Sequence, residues 1–393
     1  MRHLALVVLL AACATIAEPT DSSNNSDSDT DSDTDTDSDT AAPELIRGAF
    51  ESAAGVRSCR GMASWNAPDG VLLRFNMDLC GDDLDALTET IVTNLDAVEA
   101  RGGRAMVALG QGIHLPPSWY EACGSWELDD IRFEGRLCHP WDERYQANLK
   151  ALLQDKVGPA IADHPALAGV YFTISSMTNG YELHLRMDRT TLDVDPGDAV
   201  IRQAYLDVMD LHQEAFTVPV VFEAGHCLWL ERGGSHEDCD TPLALYRHSR
   251  DTFGAEKSGI SLWNCAERFW ATDTSPGHGV RQILEEASAD GVSIGCQTVG
   301  PFTEGACRFT DDAVADYGTP PGTPGGDCTD STAEDAGRAC ADTMKWFRGE
   351  QALATDGVAL RGTWGELWSQ DQASRGVIQT HAECAAAVDA LSR

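Results

Sequence analysis

Short apolar runs recur along the chain after residue 45, and longer amphipathic segments separate them. A run of four to eight apolar, β-branched or aromatic residues between turn residues is typical of a buried strand. Eight such segments follow one another. They are residues 56–65, 71–79, 104–110, 169–174, 218–224, 260–264, 292–298 and 358–367.

Helices are predicted between several of these strands. Residues 83–101 place their leucine, isoleucine and valine side chains at helical spacing, and Gly102 then supplies a C-cap signal. Residues 142–156, 198–216 and 279–289 behave in the same way. Strands that alternate with helices predict an α/β fold with parallel strands. Eight of them predict a (β/α)8 TIM barrel, with a doubly wound open sheet as the main alternative.

Two long segments, residues 113–140 and 300–345, are rich in proline, glycine and cysteine. On the carboxyl-terminal face of a barrel, loops of this length shape a binding cleft. The chain has 13 cysteines, and 12 of them lie after residue 58, which suits loops stapled by six disulfides in an oxidising compartment. Near neighbours are one choice of partners. These are Cys123 with Cys138, Cys227 with Cys239, Cys296 with Cys307, and Cys328 with Cys340.

The amino terminus predicts export. A charged start precedes the apolar run 4–10, which is too short to span a bilayer. The following Leu-Ala-Ala-Cys resembles a bacterial lipobox, so residues 1–12 are predicted to be a lipoprotein signal peptide and Cys13 the lipid attachment site. An ordinary secreted protein cleaved nearby is the alternative. The predicted location is the bacterial cell envelope, at the outer membrane or cell surface.

Residues 13–45 contain the attachment site and an Asp/Ser/Thr-rich linker with no means of burying apolar surface, which predicts disorder. Residues 46–393 are the predicted barrel. The net charge of −35 argues against nucleic acid, and a membrane is expected only through the lipid anchor. No cofactor is expected, because no P-loop or strand-linked GxGxxG is present. No metal is expected, because no CxxC pair or HxxxH element occurs.

Carboxylates stand at the ends of four predicted strands. Asp78 lies on the second strand, Glu182 follows the fourth, three residues after Asn179, Glu223 lies on the fifth and Glu366 on the eighth. Carboxyl ends of barrel strands build active sites, and glycoside hydrolysis usually employs two carboxyl groups. Ten tryptophans add aromatic faces that suit sugar rings. Those near predicted loops or strand ends are Trp119, Trp126, Trp141, Trp229, Trp263, Trp364 and Trp368.

The order of motifs resembles the (β/α)8 glycoside hydrolases of the large retaining clan, nearest to β-galactosidase-like barrels. The matching pieces are LLRFNMD at 72–78, PPSW at 116–119, HPWD at 139–142, HPALAGVYF at 164–172 and GELW at 365–368. The resemblance implies that Glu182 is the general acid/base and that Arg74 supports the opposing carboxylate. It also implies a nucleophile at the end of strand seven, where this chain has Gln297.

A glutamine amide cannot readily form a glycosyl ester, so Glu366 is the best second carboxylate. The catalytic candidates are therefore Glu182 and Glu366. The substrate-binding candidates are Arg74, Asn179, Trp119, His226, Gln297 and Trp364. The predicted partner is a glycan. Gln297 also leaves open a non-catalytic barrel that binds carbohydrate or another partner, and a structural surface protein remains a third reading.

Overall fold

The structure, a computed structural model, describes residues 45–67, 70–130, 133–176, 183, 185, 192–224, 228–230, 236–237, 240–262, 265, 280–298, 302, 333–350, 361–373 and 375–393. Eight strands within them close into a barrel in the order β1-β8-β7-β6-β5-β4-β3-β2, and every neighbouring pair is parallel. They are β1 Gly48–Gly55, β2 Gly70–Asn76, β3 Arg104–Gly110, β4 Leu167–Tyr171, β5 Val220–Glu223, β6 Ser258–Leu262, β7 Ser293–Gln297 and β8 Trp364–Leu367. The predicted TIM barrel is confirmed, and the open-sheet alternative is wrong.

Helices follow the strands in the alternation that a barrel requires. They are α1 Leu84–Glu99, α2 Pro117–Ala122, α3 Glu143–Lys150, α4 Gly158–Ile161, α5 Asp198–Ala215, α6 Asp240–Phe253, α7 Val280–Asp290, α8 Ala333–Phe347, α9 Ser369–Gln372, α10 Val377–Thr380 and α11 Ala382–Asp389. A π-helical stretch, Ala151–Val157, joins α3 to α4, and 3₁₀ turns occupy Met77–Cys80, Ala255–Lys257 and Ala390–Ser392. Among the described residues, no helix is long and apolar enough to cross a membrane.

Two strand predictions fell in the wrong place. The first strand is Gly48–Gly55 rather than residues 56–65, because its sequence GAFESAAG is dominated by small and polar residues that give no apolar run. Residues 56–65 instead form a connection tied to the 3₁₀ turn by the Cys59–Cys80 disulfide. The eighth strand begins only at Trp364, so residues 361–363 of the predicted 358–367 run lie outside it. The long 113–140 segment contains a short helix and a hairpin, Ser125–Asp130 with Phe133–Cys138.

The barrel interior is apolar in its lower and middle layers. Nine buried side chains form a cluster separate from the larger core between strands and helices: Ile46, Phe50, Leu72, Met106, Ala108, Ala168, Tyr171, Val221 and Trp364. Trp364 is fully buried, and the rings of Phe50 and Tyr171 meet its indole edge-on at 6.1 and 6.3 Å. This aromatic layer closes the barrel beneath its carboxyl-terminal end.

Gly295 on β7 makes room for that indole. A Cβ at residue 295 would lie 1.9–2.2 Å from ring atoms of Trp364. Real Cβ atoms essentially never come this close to another heavy atom. The neighbouring strand therefore needs glycine at this position, because the interior admits one large ring and no second side chain beside it.

Disulfides tie the loops to the barrel. Cys123–Cys138 closes the hairpin segment, as predicted. Two predicted pairs are wrong, because Cys296 pairs with Cys265 and Cys340 pairs with Cys384 across two packed helices. The predicted pair of Cys227 with Cys239 lies outside the described residues. Sequence proximity failed here because strand order and helix packing, rather than chain distance, bring sulfur atoms together.

A buried histidine supports the end of β4. The Nδ1 atom of His212 lies 2.9 Å from the carbonyl oxygen of Val208, and its Nε2 accepts the N–H of Thr173 at 3.4 Å. One ring nitrogen donates and the other accepts, which is the pattern of a neutral imidazole. Burial lowers the pKa of His212 from 6.5 to about 4, and the carbonyl contact opposes this only in part.

We expect Gly295→Ala to destabilise the fold by about 1–3 kcal/mol or more, because the added methyl group overlaps the fully buried indole of Trp364. The midpoint of urea unfolding measures this. Gly55→Ala is the matched control, since a Cβ at that strand glycine meets nothing within 4 Å. Equal midpoints for the two variants would contradict the packing described for Trp364.

We expect acid to weaken the fold through His212. The folded state excludes a proton that the unfolded chain binds, so this contribution is fully present above pH 6.5 and is lost as the pH falls towards 4. The loss amounts to roughly 3 kcal/mol. Urea midpoints between pH 4 and 8 should fall less steeply in His212→Gln than in the wild type. His248→Gln, at a partly exposed histidine facing Asp210, is the control. An unchanged slope in His212→Gln would contradict the argument.

Candidate active site

Glu366 lies at the carboxyl-terminal mouth of the barrel, with only 2% of its side chain exposed. Oε1 accepts a hydrogen bond from Ser52 Oγ at 2.5 Å and another from Gln297 Nε2 at 2.7 Å, and it forms an ion pair with Nη2 of Arg74. Oε2 accepts the phenol hydrogen of Tyr171 at 3.1 Å. Four donors from four other strands therefore converge on one buried carboxylate.

The closed strand order brings these donors together. Glu366 on β8 is in register with Phe50 on β1 and with Gln297 on β7. Ser52 lies two positions after Phe50 and faces the same side of β1. The side chains of Ser52 and Gln297 therefore both reach the carboxylate. Arg74 projects from β2, where it pairs in register with Gly55. Inward-facing side chains alternate along each strand, so these residues form one polar layer above Trp364.

Tyr171 completes this layer from β4. Burial, and secondarily the charge of Glu366, raise the pKa of the Tyr171 phenol well above its ordinary value. The phenol therefore keeps its proton and donates it to Oε2, while its oxygen lies 3.2 Å from Ser261 Oγ on β6. Oε1 carries three contacts and Oε2 one, so Oε2 is the carboxylate oxygen with more remaining acceptor capacity.

The Cys265–Cys296 disulfide fixes Gln297 at the end of β7. Cys296 precedes Gln297, and the N–H of Cys265 donates to the carbonyl oxygen of Gln297 at 3.1 Å. Thr298 continues the pairing by donating its N–H to the carbonyl oxygen of Glu366 at 2.9 Å. The amide of Gln297 is thus held as a donor to Glu366.

A second buried carboxylate, Glu223, ends β5 and is 5% exposed. It pairs in register with Ser261, the β6 residue beside Tyr171. It therefore lies at the same end of the barrel as Glu366.

Hydrogen bonds to neighbouring elements hold the segment that leaves β4 as far as Ser175. Gln111 Nε2 donates to the carbonyl oxygen of Thr173 at 2.7 Å, and Tyr145 donates its hydroxyl hydrogen to Gln111 Oε1. The N–H of Ser175 donates to the Tyr145 oxygen at 2.9 Å. This network fixes the direction in which the chain leaves the strand.

Two predicted ligand-binding tryptophans are packed inside the protein. Trp364 is fully buried beneath Glu366, and Trp119 is 4% exposed with its ring 6.3 Å from that of Tyr145. Neither indole face is open in this structure, so both side chains serve packing here. Glu182, Asn179, His226 and Cys13 lie outside the described residues, and their predicted roles stay predictions.

An aromatic group lies in the long segment after β3. The His139 ring stacks on Trp141 with centroids 4.7 Å apart, and Trp126 meets both rings edge-on. Burial lowers the pKa of His139, although Asp193 and Asp142 oppose this. Asp142 caps α3 by accepting the N–H of Arg144 at 2.9 Å. The HPWD motif therefore has a structural role in starting this helix.

One trio among the described residues has metal-ligand chemistry. Asp96, Glu99 and His164 bring their ligand atoms within 4.8 Å of one another on the outer surface. However, His164 Nδ1 accepts the N–H of Ala166 at 3.2 Å, so the neutral ring carries its proton on Nε2, which lies 3.2 Å from Asp96 Oδ1. A proton there occupies the position that a metal would need. Hydrogen bonding accounts for the trio.

Three members of the site were not predicted from the sequence. Ser52 lies in a strand that was predicted elsewhere, and Tyr171 and Ser261 each contribute one hydroxyl group from a largely apolar strand. The alternation of inward and outward positions along a correctly placed strand is the one signal that would have found them.

Comparison with known proteins identifies no family: no family model and no curated protein matches the sequence. Solved structures with similar folds include a GH5-4 broad-specificity endoglucanase from an uncultured bacterium, with TM-score 0.46 and 9% identity over 89% of this chain and 94% of that one. Fungal β-1,4-galactanases give 0.41 and 12% over 84% and 90%. A D-psicose 3-epimerase gives 0.34 and 10% over 82% and 85%. At these values the similarities carry no argument about activity.

Removing the Arg74 charge should lower the free energy of unfolding, because a buried carboxylate is unfavourable without a cation beside it. We expect Arg74→Met to destabilise the fold by about 3 kcal/mol, because Glu366 then stays buried without a cation. In the Arg74→Met/Glu366→Gln double variant much of this loss should disappear, since the uncompensated charge is gone. A double-mutant cycle of urea unfolding measures the coupling. Strictly additive effects would show that the pair does not stabilise the barrel mouth.

Proposed function

We propose that this protein is an exported, surface-anchored, glycoside-hydrolase-like barrel that acts on an extracellular glycan through carboxyl groups at the barrel mouth. The observation that carries the proposal is the position of Glu366, at the carboxyl end of β8 and paired with Arg74. Catalytic groups of TIM-barrel enzymes occupy this end of the strands. The disulfides suit an exported protein.

In the proposed reaction Glu182 is the general acid and Glu366 stabilises the transition state. Glu182 gives its proton to the glycosidic oxygen as the bond from that oxygen to the anomeric carbon breaks. The Glu366 carboxylate supports the positive charge that develops on the sugar, through Oε2, the oxygen with more remaining acceptor capacity. Water then supplies the oxygen at the anomeric carbon, and its proton returns to a carboxylate. Retention or inversion depends on the separation of the two carboxyl groups.

The lipid anchor belongs to the same proposal. Cys13 would hold the protein at the bacterial cell envelope, and the acidic linker would separate the barrel from the membrane surface. Several acyl groups on one cysteine anchor a protein stably, whereas a single chain does not. Mass spectrometry of the amino-terminal peptide from membrane fractions tests for acylation at Cys13.

A second function is favoured by a specific observation. Glu366 is almost wholly buried, and its Oε1 already accepts three donors, one of them the amide of Gln297. A carboxylate held in this way can serve as a fixed acceptor in a polar binding site without taking part in bond cleavage. A non-catalytic barrel that binds a glycan therefore remains the competing proposal.

A hydrolysis screen on a panel of polysaccharides tests the first proposal. We expect the wild type to cleave at least one glycan, and Glu366→Gln and Glu182→Gln each to lower kcat/KM by about 10³-fold or more, since electrostatic stabilisation of a transition state is worth several kcal/mol. Glu214→Gln, on the exposed face of α5, is the control and should keep full activity.

Two results would overturn the hydrolase proposal. One is full activity in Glu366→Gln on every glycan that the wild type cleaves. The other is absence of hydrolysis together with saturable glycan binding by calorimetry, which would establish the binding function instead.

A further inference from the structure

A cavity of about 340 Å³ lies at the amino-terminal end of the barrel, opposite Glu366. Three residues that line it each precede the first residue of a strand: Arg47 before β1, Val292 before β7 and Thr363 before β8. The amino-terminal face of a TIM barrel normally serves stability rather than catalysis. A formed cavity there is separate from the candidate active site.

Arginine dominates the charge of this cavity. Arg47, Arg348, Arg361 and Arg393 all line it. The whole chain has only 28 lysines and arginines against 63 aspartates and glutamates. Four arginines around one cavity are therefore a local concentration of positive charge in a strongly negative protein. Within the described part of the chain, Arg348 pairs with the exposed Glu350 at 2.8 Å, whereas Arg47 and Arg361 form no ion pair.

The remaining lining adds a polar donor and apolar walls. The hydroxyl of Ser288 is buried and has no hydrogen-bond partner among the described residues. Leu45, Val292 and Leu391 supply apolar surface. Such a cavity offers charge, a hydroxyl donor and hydrophobic contact to a ligand that carries both an oxyanion and an apolar portion.

We propose that this cavity binds the phosphate group of a small amphiphilic phosphate ester. Arginine forks match the oxygen geometry of phosphate and form charge-assisted hydrogen bonds with it. The cavity is larger than a bare ion needs, which leaves room for the organic portion of the ester. The strongly negative protein repels long polyanions, so a ligand with one phosphate group fits best. Either a soluble phosphate ester or a phospholipid headgroup presents this chemistry.

Titration of the full chain with inorganic phosphate and with hexyl phosphate tests the proposal, at constant ionic strength because screening mimics weak anion binding. We expect saturable binding by calorimetry. In Arg47→Gln/Arg361→Gln the Kd should rise by about tenfold or more, the effect of losing charge-assisted hydrogen bonds. Arg47→Lys/Arg361→Lys keeps the charge and should lose less. Arg57→Gln, at an exposed arginine outside the cavity, should bind like the wild type.

Vesicle flotation distinguishes the two sources of the phosphate group. If the protein binds phosphatidylglycerol vesicles more than phosphatidylcholine vesicles, and Arg47→Gln/Arg361→Gln abolishes the difference, the cavity is assigned to a lipid headgroup. If the soluble phosphate ligands bind but the two kinds of vesicle bind equally, the cavity is assigned to a soluble ligand. The proposal is overturned if neither the soluble ligands nor the vesicles bind, or if the double glutamine variant binds all of them as the wild type does. Urea midpoints within the error of the wild type ensure that each variant is folded.

Discussion

The pairing of Glu366 with Arg74 is the interaction on which the upper half of the barrel depends. Removing a carboxylate from water costs several kcal/mol, and this cost is offset only when good partners surround the charge. Here the partners come from β1, β2, β4 and β7, while the carboxylate itself is on β8. These strands meet only in the closed barrel, so closure and the formation of the site are one event.

The layer beneath this charge strengthens the interaction. Trp364, Phe50 and Tyr171 fill the interior directly below the polar layer, and the absence of a side chain at Gly295 lets the indole pack against β7. Apolar packing excludes water from the underside of the carboxylate, and charges interact more strongly where the local dielectric constant is low. Tyr171 belongs to both layers, since its ring packs on the indole and its hydroxyl reaches Glu366.

Local patterns predicted the parts of the fold that local physics determines. The apolar run 104–110 became β3 without change, and the helical spacing after residue 83 became α1, capped by Asp83. The position of β1 was predicted wrongly. This strand consists mainly of small residues, and its polar residues Glu51 and Ser52 are buried, so its sequence lacks the apolar pattern that usually marks a buried strand. The partners of Glu366 lie up to 314 residues away along the chain. The pattern of one sequence does not pair residues over such distances, and only the resemblance pointed to Arg74 as the partner of a carboxylate. The Cys265–Cys296 bond was not predicted because the pairing of neighbouring strands, rather than proximity along the chain, brings its sulfur atoms together.

Gln297 acquires a physical explanation from this arrangement. Its amide nitrogen is 2.7 Å from Oε1 of Glu366, and Arg74 contacts the same oxygen. A carboxylate at residue 297 would put two negative charges in contact beside a single arginine, and such neighbours cannot both ionise readily. A carboxylate on β8 therefore excludes a second one on β7, whereas an amide there becomes a donor. The glutamine is a consequence of placing the acid on the next strand, and its presence alone is no evidence that a catalytic carboxylate has been lost.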